Sequence, residues 1–112
     1  GSFDAVISLD VIEHIMPRNE GVFMETVVAN LGPSGFCIIG TPNLSAKRYS
    51  SKQSRDGHVN LYSAARLEKL LSRSFYNVFR FGMNDEVLHT GFPPMCHYLM
   101  LLACHPKEST KR

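Results

Sequence analysis

The chain has 112 residues, 44% of them hydrophobic, and a formal net charge of +2. That composition suits one small packed domain over residues 1–112 and argues against a disordered chain. The charge is too small to argue for nucleic acid or an anionic membrane surface, and no apolar run nears the ~20 residues that span a bilayer.

In chain order, Ala5, Val6, Ile7 and Leu9 predict a first strand covered on both faces. Asp4 and Asp10 interrupt this apolar stretch, so it does not read as a signal peptide, and Gly1-Ser2 reads as an expression remnant. Beyond Leu9 come Asp10, Glu13 and His14. Open α/β sheets place ligands just outside the carboxyl ends of strands, so this is where a site is expected.

Pro17 biases Met16 away from helix, and Asn19 is the expected N-cap of the next one, with Glu20 in its first turn. Phe23, Val27 and Leu31 recur every four residues, which predicts an amphipathic helix. Gly32-Pro33-Ser34-Gly35 should end it in a turn, leading into a second strand over Phe36-Cys37-Ile38-Ile39-Gly40. A strand-helix-strand unit of this length is expected to be parallel and right-handed.

Residues 44–62 are polar and aperiodic, and predict a long loop of the kind that is usually functional. Ser63 should cap a helix buried through Ala64, Leu67, Leu70 and Leu71. A third strand is expected from Phe75 to Phe81, a second long loop over 83–95 with a solvated turn at Asn84-Asp85-Glu86, and a last strand from Tyr98 to Cys104. The last strand follows another without a helix between them, so it should run antiparallel at or near an edge. Cys37, Cys96 and Cys104 are odd in number and widely spaced, which suits reduced thiols and a cytoplasmic location, and Cys37 and Cys104 read as small buried hydrophobes. Lys107 to Arg112 reads as a solvated tail.

Phe3-Asp4, Ser8, Asp10 and Glu13-His14, followed by a helix, Leu31-Gly32-Pro33-Ser34-Gly35, an apolar strand and Thr41-Pro42-Asn43, resemble the second half of a class I S-adenosylmethionine-dependent methyltransferase. His58-Val59-Asn60-Leu61-Tyr62-Ser63 and the elements after it resemble the continuation in the ubiquinone-type O-methyltransferase subgroup. The resemblance implies an α/β fold: a partial Rossmann-like sheet with a parallel core and an antiparallel last strand, helices packed on it, and no amino-terminal cofactor-loop half. No Gly-x-Gly turn follows any strand. The first strand would be central in the complete sheet, so here residues 5–9 should form an unpaired edge open to self-association.

The resemblance implies S-adenosylmethionine as cofactor, held in part by Leu9 and Asp10, although Leu9 equally reads as core and Asp10 as a turn cap. It also implies a divalent metal such as Mg²⁺, held by Asp10, Glu13, His14 and His58. At spacing i, i+3 and i+4, Asp10, Glu13 and His14 would share one helical face; the alternative is that Glu13 and His14 pair with neighbours and hold no ion. His14 is alternatively the catalytic base, because imidazole titrates near neutrality. Asn43 and Tyr62 lie where an acceptor substrate could sit.

The expected function of the parent protein is methyl transfer to an O or N of a small molecule or glycan, with this chain inactive alone. The alternative is a non-catalytic module for interaction or oligomerisation. RNA as acceptor rests on His58 with Lys47, Arg48, Lys52 and Arg55, and the weak net charge argues against it.

Overall fold

The computed structural model describes residues 1–49 and 51–108, without the side chains of residues 48, 49, 54 and 55. The side chains of Arg48 and Arg55 and the end of the basic tail therefore lie outside the described residues.

Five strands form one mixed sheet: β1 (Phe3–Leu9), β2 (Leu31–Pro42), β3 (Phe75–Asn84), β4 (Val87–His89) and β5 (Tyr98–Pro106), in the order β1-β2-β5-β3-β4. β1 and β2 are parallel, and every other pairing is antiparallel. β1, β2 and β3 thus run one way, with β5 reversed between β2 and β3. The last strand is antiparallel as expected, but it lies inside the sheet rather than at or near an edge. The reason is its composition. Leu99, Leu101 and Ala103 are buried on one face, and Met100 and Leu102 are half-buried on the other. A strand apolar on both faces gains most from neighbours on both sides.

Two helices, α1 (Glu20–Asn30) and, after a short α2 (Lys52–Gly57), α3 (Ala64–Ser72), supply Met24, Val27, Val28, Leu67, Leu70 and Leu71 to the core. They meet the sheet row Val6, Cys37, Ala103 and Val78, whose members pair directly across the strands. The neighbouring row, Ile7, Ile38, Leu102 and Phe79, lies on the other face, where Ile7 is 62% and Phe79 50% exposed. β1 is therefore covered on one face only, contrary to the sequence expectation. None of the helices is long and apolar enough to cross a membrane, among the described residues.

Local signals were read with mixed accuracy. Ser63 caps α3 by accepting from the Arg66 N–H, as its side chain allows. Asn19 occupies the cap position of α1, but its side chain makes no capping bond. The Gly32–Gly35 turn is absorbed into β2, whose register against β1 shifts between Phe3 and Ala5. Residues 44–62, expected as loop, carry a 3-10 turn (Leu44–Tyr49) and α2. The expected 83–95 loop begins with the end of β3 and holds β4 and a 3-10 turn at Pro93–Met95. Asp85 and Glu86 make the tight β3–β4 connection, with Asp85 at φ 51°.

A sheet covered on one face predicts unequal costs for two adjacent residues of β5. Leu101→Ala should remove about 2–5 kcal/mol of unfolding free energy in urea. Leu102→Ala, on the open face, should remove clearly less, and equal losses would show that the second face is covered.

Candidate metal centre

β1 ends at Leu9, and Asp10 follows in the left-handed region at φ 59°, a conformation aspartate tolerates better than most residues. Its N–H still bonds the Gly40 carbonyl of β2 at 2.9 Å. The reversal then feeds a single 3-10 turn, Ile12–His14. Ile12 is fully buried and anchors this turn in the core. Glu13 is carried back against the sheet and is 1% exposed.

A buried carboxylate needs compensation, because desolvation of an unpaired charge costs several kcal/mol. Oε1 of Glu13 accepts the Thr41 hydroxyl of β2 at 2.8 Å. Oε2 lies 3.7 Å from Nε2 of His14. The Glu13 backbone carbonyl accepts from Val59 and Asn60, both at 3.0 Å, which clamps the residues after His58 onto the turn. Nδ1 of His14 lies 2.7 Å from the Gly57 carbonyl oxygen. A carbonyl only accepts, so Nδ1 carries the proton and Nε2 of neutral His14 presents a lone pair. The His14 and His58 rings meet edge to face, with centroids 5.2 Å apart.

One ligand atom each from Glu13, His14 and His58 lies within 4.8 Å of the others. Ligand atoms around one ion with bonds near ~2.1 Å stand about 3.4 Å apart, so small rotations of the two imidazoles close the difference. His14 is half-exposed in its side chain, so packing does not lock its ring. The backbone carbonyl held by Nδ1 is also the outer contact that commonly orients a ligating histidine. The donor set fits a divalent ion.

Asp10 does not join this group. The i, i+3, i+4 argument assumed one continuous helical face from residue 10, whereas the helical turn begins only at Ile12. The Asp10 carboxylate instead faces the Tyr98 phenol at the start of β5. Burial, then hydrogen bonding to Asp10 and its charge, push the Tyr98 phenol well above the ordinary range. The hydroxyl end of Tyr98 crowds Gly40, where a Cβ would stand 2.7 Å from its hydroxyl oxygen. Leu9 packs beside them and is 48% exposed, so it is not a core residue.

The two expected substrate residues are buried. Asn43 is 3% exposed, and its amide donates to the carbonyls of Pro93 at 2.7 Å and Cys96 at 2.9 Å. It fastens the 93–96 turn to the end of β2. Tyr62 is fully buried, with its hydroxyl bonded to Glu20 at 3.2 Å and Asn60 at 2.9 Å. Burial and the Glu20 charge raise its phenol to about 12. Arg66 lies 3.8 Å above the Tyr62 ring, reaches Glu20 at 3.3 Å and bonds the Asn60 side chain. The donors of Asn43 and Tyr62 are thus engaged within the chain, and both side chains tie segments together here.

Thr41, Tyr98, Asn60, Glu20 and Arg66 were not anticipated at the site. Only Thr41, in Thr41-Pro42-Asn43 at the end of a strand, carried a local signal. Asn60 lies two residues after His58, and Tyr98, Glu20 and Arg66 arrive from other segments.

Thr41→Val should leave the buried Glu13 one donor short and cost about 1–3 kcal/mol in urea unfolding. An unchanged midpoint would mean that Glu13 does not depend on Thr41. Searches against protein families, curated proteins and solved structures find no match to this chain.

Proposed function

We propose that the chain is the carboxyl-terminal half of a cytoplasmic class I S-adenosylmethionine-dependent methyltransferase, built on a partial Rossmann-like sheet. The parent enzyme moves a methyl group to an oxygen or nitrogen of a small molecule or glycan. The observation that carries this reading is the position of the cluster. Glu13, His14 and His58 gather at the carboxyl ends of β1 and β2, where α/β sheets bind ligands. An antiparallel last strand beside co-directional strands agrees with the sheet that the sequence resemblance implies.

The chain alone does not cradle S-adenosylmethionine. No described glycine adopts a left-handed φ, and Leu9 and Asp10 offer one wall of a cofactor site at most. In this reading the missing amino-terminal half supplies the rest, and the chain by itself is inactive. Glu13, His14 and His58 would hold a divalent ion. Once bound, that ion would supply charge to orient an acceptor hydroxyl and make it more acidic. Two of the three donors are imidazoles, which favours Zn²⁺ or Mn²⁺ over the Mg²⁺ expected from the wider four-residue set. The Nε2 lone pair of His14 serves as metal ligand or as general base, and the two roles compete.

A second reading, a non-catalytic interaction module, draws on the uncovered apolar sheet face around Ile7 and Phe79. The coding sequence upstream of Phe3 separates the two. A strand followed by a glycine-rich turn supports the enzyme, and a start codon beside Phe3 supports the module.

Calorimetric titration of the full chain with Zn²⁺, Mn²⁺ and Mg²⁺ tests the metal reading. One ion should bind, more tightly for Zn²⁺ or Mn²⁺. His14→Ala and His58→Ala should each weaken binding at least tenfold, while Asp10→Ala should leave it within about twofold. Absence of heat with all three ions would overturn the assignment.

A further inference from the structure

We propose that two copies of this chain join through β1, antiparallel about a two-fold axis at Val6, extending each five-stranded sheet into a continuous one across the seam. Among the described residues, β1 has β2 on one side and no strand on the other. Leu9 pairs with Gly40, and the Gly40 carbonyl accepts the Asp10 N–H. In a parallel ladder this turns the N–H and C=O of the even residues toward β2, and those of Ala5, Ile7 and Leu9 outward. An outward row of unmet backbone groups on an apolar strand is a template for another strand.

The strand is complementary to itself in one register. It runs from Phe3 to Leu9, so Val6 is its midpoint. A two-fold there sets Phe3 against Leu9, Ala5 against Ile7 and Val6 against its own copy. The outward-facing pairs then exchange about eight N–H···O bonds across the seam. Phe3 is 61% and Ile7 62% exposed in the single chain, and both gain apolar partners. The same register sets Asp4 against Ser8. Among the described residues, the buried Ser8 Oγ has no hydrogen-bond partner. A carboxylate on the facing strand, with Cβ atoms about 5 Å apart, is within its reach. The alternative register, centred on Ile7, would set Asp4 against Asp10, so like charge disfavours it.

A groove of about 350 Å³ runs along the same seam between β1 and α1, lined by Phe3, Val6, Phe23 and Val27 among others, none of them charged. A two-fold perpendicular to the sheet brings the two α1 helices to the same face, where each closes the other's groove. Seven residues span about 23 Å. That seam is small beside the roughly 800 Å² per partner of a standard interface, which sets dissociation in the micromolar range. In the reading above, the remainder of a methyltransferase sheet would occupy this edge, so a longer chain carrying that half would not dimerise here.

Sedimentation velocity of the full 112-residue chain from low to high micromolar concentration should show a monomer–dimer equilibrium. Ile7→Lys should raise the dissociation constant at least tenfold with an unchanged circular dichroism spectrum, and Val22→Lys, at an equally exposed site outside the groove, should not. Val6→Cys should form a disulfide-linked dimer under mild oxidation, because facing Cα atoms at a non-hydrogen-bonded antiparallel pair stand about 4.5 Å apart. Ile7→Cys faces Ala5 of the other copy and should not cross-link with itself. A chain that stays monomeric at ~200 μM would overturn the proposal. So would a dimer indifferent to Ile7→Lys, or one cross-linked through Ile7→Cys instead of Val6→Cys.

Discussion

Burial of one carboxylate, Glu13, organises the molecule's polar end. Its side chain is met by the Thr41 hydroxyl, and its backbone carbonyl is met by two successive N–H groups. Through these three bonds a single residue joins the exit of β1, the exit of β2 and the segment after α2. Each partner is needed, because a carboxylate 1% exposed has little water to fall back on. The turn that presents His14 and the segment that presents His58 are therefore fixed relative to each other by one residue.

A second buried network reinforces the first. Asn60, whose N–H holds the Glu13 carbonyl, also bonds Tyr62 and Glu20 through its side chain. Arg66, at the start of α3, bonds Glu20 and stacks on Tyr62. The first turn of α1, the 58–62 segment and α3 thus share one set of polar contacts. Such a network is costly if half-satisfied and specifying if complete. It makes the position of His58 depend on Glu20, Tyr62 and Arg66, which reach the Glu13–His14–His58 cluster through Asn60.

The sequence made the hydrophobic layout legible because local periodicity follows burial directly. The β1, β2 and β5 strands and the buried stripes of α1 and α3 all appear in runs of apolar residues. Boundaries were less legible. Gly32 and Pro33 carry strong turn signals, and the ladder respects them although β2 runs through them: the partners of β1 jump from Leu31 to Phe36, so residues 32–35 bulge out of the pairing. β4 was missed because three residues carry no usable period. The site was legible where it is local: Glu13 and His14 are adjacent, and His58 is joined to them as the resemblance suggested. Asp10 was misplaced because helical spacing was assumed across a left-handed turn. The burial of Asn43 and Tyr62 was not legible, because polarity in sequence does not distinguish a side chain at the surface from one that ties loops together.

Tyr98 enters the site from the strand that closes the sheet. Because β5 runs against its neighbours, its first residue lands at the ends where β1 and β2 finish, against Asp10 and Gly40. Residues near the two chain termini are therefore adjacent in the folded molecule. Loop closure over such a separation is slow relative to helix formation, and sheets dominated by distant pairings fold in milliseconds to seconds rather than microseconds. Asp10 and the phenol that meets it therefore come together only through long-range pairing within the sheet, not through any local element.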